Sequence, residues 1–213
     1  MDAQALGVVT GLVTLAAVRS RAALFLRPGG VTIRVEPFSP VPPALAEDAR
    51  ALEVLGFRPL GIQRETQPLA LAPSTRAWVF VSEELGAYAN LVESAIMPFG
   101  YMLSVFPTGA VALTGRYPRA RSVAEDLVIQ GLPRASWAEV LSTHRREVDL
   151  LAAVHDSPRA PATPEGRVAA ARAYYDHPYQ LARTRRAHAA FAIVAVAALT
   201  AVVACAFRLA SAA

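Results

Sequence analysis

A chain of 213 residues holds one domain of ordinary size with appendages, or two very small ones. Hydrophobic residues make up 54% of it and charged residues only 18%, which excludes a disordered chain, and its single cysteine excludes a disulfide scaffold. The formal charge is +4, and all 21 basic residues are arginine. Seven of them (Arg19, Arg21, Arg27, Arg183, Arg185, Arg186 and Arg208) flank the two apolar ends. The other 14 face 16 acidic residues, which leaves the centre at −2 and gives nucleic acid no basic stripe to bind.

The first element is the apolar stretch Ala5 to Val18, 14 residues long. Asp2 precedes it and Arg19 and Arg21 follow, the reverse of the charge order of a cleaved leader. The expectation is an N-terminal apolar helix over residues 1–27, either crossing a bilayer or lying on it. Pro28, Gly29 and Gly30 end it, and Val31–Glu36 then alternates apolar and polar residues as a half-buried strand does. Pro43 at a first helical position and Gly56 at a helix end bracket a helix over Ala44–Leu55.

From Arg58 to Gly131 the pattern predicts strands at Arg58–Glu65, Arg76–Ser82, Tyr88–Ser94, Tyr101–Phe106, Ala110–Arg116 and Asp126–Gln130. Glu83–Gly86 and Pro107–Gly109 are Gly-bearing connections of hairpin length, so an antiparallel meander is expected. A second helix runs from Ser136 to about Val154, opened by the capping box of Ser136 and Glu139. Trp137, Val140, Leu141, His144, Val148 and Leu151 give it one apolar face.

Residues 155–166 carry three prolines in a polar stretch and read as a linker, and residues 167–188 as a juxtamembrane helix. Ala189 to Phe207 is 19 residues without a charge, long enough for the ~30 Å hydrocarbon core. A transmembrane tail anchor is expected there, with a short tail at 208–213. The arginines beside both apolar ends then put residues 28–186 on the cytoplasmic side. Small residues along the last helix, Ala197, Ala201 and Ala204, suit close approach of another membrane helix.

The fold class expected for residues 28–154 is α+β, with an antiparallel sheet in the order strand, helix, six strands, long helix. Over residues 31–154 this order resembles the helix-grip fold of START-like lipid- and polyketide-binding proteins, with one short helix where those have two. A plain two-layer sandwich, helices on one face of the sheet, fits equally.

Catalytic and metal motifs are missing. His144, His155, His177 and His188 form no HExxH and have no cysteine nearby, and there is no GxSxG, GxxxxGK[ST] or GxGxxG. No cofactor or metal is expected. Glu83–Glu84 lies at a turn, and Arg145–Arg146 is flanked by Glu147 and Asp149 as a salt-bridged polar face would be. Candidate ligand contacts are His144, Trp78, Phe80 and Trp137, each also explained by core packing. The expected function is a membrane-anchored, non-enzymatic assembly protein, partnered by itself or by other membrane proteins. The alternative is a membrane-tethered binder of an apolar lipid- or quinone-like molecule between sheet and helix. An enzyme would need His144 to meet a carboxylate such as Glu93 or Glu125 in one pocket.

Overall fold

The apolar runs between Arg58 and Gly131 fold into short strands, with tight Gly-bearing turns between Ser82 and Ala87 and between Val105 and Val111. The computed structural model describes residues 31–66, 75–93, 99–124 and 126–183, together with Gly11, Arg186, Ile193, Ala197 and Ala201. Among them, eight strands form one sheet: β1 (Thr32–Glu36), β2 (Arg58–Thr66), β3 (Thr75–Ser82), β4 (Ala87–Glu93), β5 (Phe99–Val105), β6 (Val111–Gly115), β7 (Ser122–Ala124) and β8 (Leu127–Gly131). Their order in space is β1-β2-β3-β4-β5-β6-β8-β7. Gly86 at φ 58° and Gly109 at φ 91° take the left-handed turn positions of the β3–β4 and β5–β6 hairpins. Beyond β6 the meander ends. The chain lays down β7 at the edge, then returns as β8, antiparallel to β7 and parallel to β6.

Three helices pack on the sheet: α1 (Ala46–Val54), α2 (Trp137–His155) and α3 (Pro164–Asp176). One 3-10 turn, Pro43–Leu45, leads into α1. The capping box at α2 forms, with the Ser136 and Glu139 side chains each bonded to the other's backbone N–H. At α3 the Thr163 hydroxyl accepts the Gly166 N–H at 3.0 Å, and Pro164 occupies the first turn.

Strand geometry sends successive side chains to opposite faces. One face presents Ile62, Trp78, Phe80, Leu91 and Met102 to Ala49 and Leu52 of α1 and Trp137, Val140 and Leu141 of α2. The other presents Val79, Val81, Tyr88, Leu103 and Ile129 to Ala160 and to Ala170 of α3. Both faces are therefore covered, and β4 is buried at every position from Ala87 to Val92. The protein is mixed α+β with an eight-stranded sheet. The expectation of helices on one face alone, as sandwich or helix grip, is corrected by α3 on the second face.

The expected C-terminal transmembrane helix is corrected too. Among the described residues no helix is long and apolar enough to cross a membrane. With 9 and 13 residues, α1 and α3 are too short for the ~30 Å hydrocarbon core. The 19 residues of α2 have the length but include Arg145, Arg146, Glu147 and Asp149. The tail anchor, the membrane as partner, the cytoplasm-facing membrane localisation, the membrane-anchored assembly role and its membrane-tethered apolar-ligand alternative are withdrawn with it. The N-terminal segment 1–27, apart from Gly11, and residues 189–207, apart from Ile193, Ala197 and Ala201, lie outside the described residues.

The chain divides into two units. Residues 32–65 and 74–179 hold the sheet and the three helices; residues 1–31, 66–73 and 180–213 form the other.

Candidate functional site

His144 lies on the inward face of α2, as its spacing predicts, and is 2% exposed. Its ring fills a gap between two hydroxyls, Ser104 on β5 at 3.0 Å from Nε2 and Thr114 on β6 at 3.1 Å from Nδ1. The Ser104 hydroxyl donates to the Gly86 carbonyl at 2.8 Å. Its proton is thereby committed, so Nε2–H donates to Ser104 and the bare Nδ1 accepts from Thr114. Burial drives the His144 pKa down to about 4, opposed weakly by Glu147. The imidazole is neutral at pH 7 and fully bonded.

A cleft of about 310 Å3 runs past this histidine, between α2 and the β3–β4 turn with Ser157 and Pro158. Ser104 does not line it and is completely buried, so the Ser104–His144 pair offers no reachable nucleophile. Neither carboxylate expected for an acid–base pair meets His144: Glu93 is exposed at the end of β4, and Glu125 lies outside the described residues. Glu147 on the same helix is instead held by Arg121 through two hydrogen bonds of 2.8 Å each. The other sequence candidates, Trp78, Phe80 and Trp137, belong to the core cluster beneath α1 and α2. Trp137 lies so close to Gly100 that a Cβ there would stand 2.6 Å from its ring. The described histidines do not converge either, and His188 lies outside the described residues. His155 bonds Asp126 and Thr108, and His177 is buried beyond the end of α3.

The opposite face holds a polar layer that no sequence motif marks. Arg167, one turn into α3, is 1% exposed and lies against the sheet. Its Nη2 donates to the Asn90 side-chain carbonyl at 3.1 Å and to the Tyr101 hydroxyl at 3.4 Å, and its guanidinium lies 5.4 Å from the Tyr88 ring centroid. Asn90 and Tyr101 are cross-strand partners on β4 and β5, so one register position delivers both groups. About 12 Å further along α3, eight residues on, Tyr175 donates to Glu65 at 2.6 Å. The second Glu65 oxygen accepts from Gln63.

This layer is polar and incompletely bonded. The Arg167 Nε and Nη1, the Asn90 Nδ2 and the Gln63 Oε1 are buried with no hydrogen-bond partner among the described residues. Each such group costs on the order of 1–3 kcal/mol, which native folds rarely leave uncompensated. The charge adds to this. No ion pair joins Arg167 to a carboxylate among the described residues, and an uncompensated buried guanidinium costs several kcal/mol, roughly. The helix adds no relief, since Arg167 stands near the positive end of the α3 dipole. Proton exchange here is suppressed. Burial pushes the Tyr88 hydroxyl up to about 12 against the pull of Arg167. It raises Tyr101 as well, and it raises Tyr175 with Glu65 adding to the effect.

Sequence reading missed Arg167, Asn90 and Gln63 because they belong to no motif. The available signal was a polar residue on an inward stripe: Arg167, Ala170, Ala171 and Tyr174 recur at helical spacing. No protein-family model matches this chain, and no curated protein or solved structure matches it.

Proposed function

We propose that this domain is a receptor for a small polar molecule, held without chemical change between α3 and the sheet. The observation that carries this reading is that four buried atoms, from Gln63 and Asn90 on one sheet face and Arg167 packed against it, have no hydrogen-bond partner among the described residues. Donors and an acceptor left open together form a recognition surface, whereas a layer built only to pack would be apolar. The tyrosines around it keep their protons far above neutral pH, so they offer contacts rather than proton transfer. The His144 cluster on the other face serves packing, since its hydrogen bonds close on themselves.

Native mass spectrometry of the full chain, purified in volatile buffer, tests the reading. The expected result is a small-molecule adduct that leaves on unfolding and is lost from Asn90→Leu. A bare chain mass, with the same melting temperature before and after acid stripping and refolding, refutes it.

A further inference from the structure

On the receptor reading just given, we propose that the ligand is a monoanionic carboxylate whose charge pairs with Arg167. Four observations converge on the sign of that charge. Arg167 is 1% exposed, so water does not screen its guanidinium. Its bonded partners, Asn90 and Tyr101, are neutral, and the Tyr88 ring supplies only its quadrupole. Glu65, whose charge reaches the Tyr101 hydroxyl, spends its oxygens on Gln63 and Tyr175 and makes no ion pair with Arg167. The open atoms nearest the charge, Arg167 Nε and Nη1 and Asn90 Nδ2, are all donors. Water or a neutral amide could accept those N–H groups, but neither would balance the cation. A carboxylate does both.

The count of charges sets the class. Arg167 brings a single positive charge and Glu65 adds a negative one to the layer, so a dianion such as phosphate is disfavoured against a carboxylate. The unfilled acceptor Gln63 Oε1 lies on the same sheet face, offering a donor-bearing group of the ligand one further bond. Side chains of α3 set the rest of the shape: Ala170 and Ala171 are small and buried, and Tyr174 follows one turn on.

Isosteric pairs separate charge from shape. Formate against formamide, acetate against acetamide and benzoate against benzamide are titrated onto the full wild-type chain, with inorganic phosphate as a fourth anion, reading melting temperature and Kd at constant ionic strength. At least one acid is expected to bind ten-fold or more tightly than its amide and than phosphate. Arg167→Met is expected to erase that preference. Equal binding of acids and amides overturns the carboxylate assignment and leaves the receptor reading standing. Tighter binding of phosphate overturns the monoanion. An acid preference that persists in Arg167→Met removes Arg167 from the site. No response to any probe from a chain that carries no native adduct sinks the receptor reading itself. The wild-type comparison needs no variant to fold.

Discussion

The buried neutral state of His144 makes the stability of this protein depend on pH in one direction. The unfolded chain carries a histidine of ordinary pKa near 6.5, while burial holds the folded one at about 4. Between those values the unfolded state takes up a proton that the folded state refuses. Stability is therefore intact above about pH 6.5 and lost as pH falls toward 4, where the loss levels off. At pH 5 the difference amounts to about 2 kcal/mol, from roughly 1.5 pH units at 1.36 kcal/mol each. The perturbation is His144→Gln, whose amide can donate to Ser104 and accept from Thr114 as the imidazole does. Urea unfolding of both chains at pH 7.5, 6 and 5 is the assay, because the carboxylates shared by the two proteins cancel in the difference. The wild-type advantage should shrink by about 2 kcal/mol from pH 7.5 to pH 5. Parallel pH profiles, or an advantage that grows in acid, would refute the neutral buried histidine.

Gly100→Ala puts a methyl group 2.6 Å from the Trp137 ring and 2.8 Å from the Asn90 carbonyl, and should cost about 1–3 kcal/mol in urea unfolding. The Arg121–Glu147 pair is asymmetric, with side chains 45% and 8% exposed. Arg121→Ala strands the carboxylate and should cost about 1–3 kcal/mol, whereas Glu147→Gln keeps an acceptor and should cost less; calorimetry showing the reverse order would contradict the geometry. Asp156, at φ 60° and ψ −156°, occupies a region that suits glycine, so Asp156→Gly should raise stability by about 1 kcal/mol, seen as a higher melting temperature.

Much of the sheet was legible because its signals are local. Short apolar runs bounded by turn residues mark the β2–β6 strands, and the glycines at 86 and 109 mark two hairpins within a residue or two. Ser136 and Glu139 announce the start of α2 in the same way. What the sequence left hidden depends on long-range partners. Ser122–Ala124 is too short to show a period, and its strand exists because β8 supplies the ladder. The parallel pairing of β6 with β8 follows from which strand slots between which, and no residue encodes that alone. The second covered face had a weak sign in β4, whose Ala-Tyr-Ala-Asn-Leu-Val run lacks the polar alternation of a half-solvated strand. For the site, His144 was visible as a polar residue on an apolar stripe, but its neutrality depends on two hydroxyls 40 and 30 residues away. Arg167 was harder to see, since its burial needs α3 to fold back over strands 77 and 66 residues earlier.

The two polar side chains on opposite faces of the sheet also differ in a way that stability measurements can read. Around His144 the fold answers each ring nitrogen with one hydroxyl, and Ser104 passes its proton to a backbone carbonyl. Removing the ring therefore removes satisfied bonds, and His144→Gln should be neutral or destabilising at pH 7. Around Arg167 the described residues answer one nitrogen and leave two, and the cation stands near the positive end of a helix with no anion among those residues bonded to it. A group retained for packing alone would not be built at that cost, because an apolar side chain of similar volume would do better. Arg167→Met should thus hold or raise the melting temperature of the unliganded chain while abolishing its response to carboxylates. If the substitution instead costs several kcal/mol in a chain stripped of ligand, the guanidinium is a structural strut and the receptor argument loses its foundation.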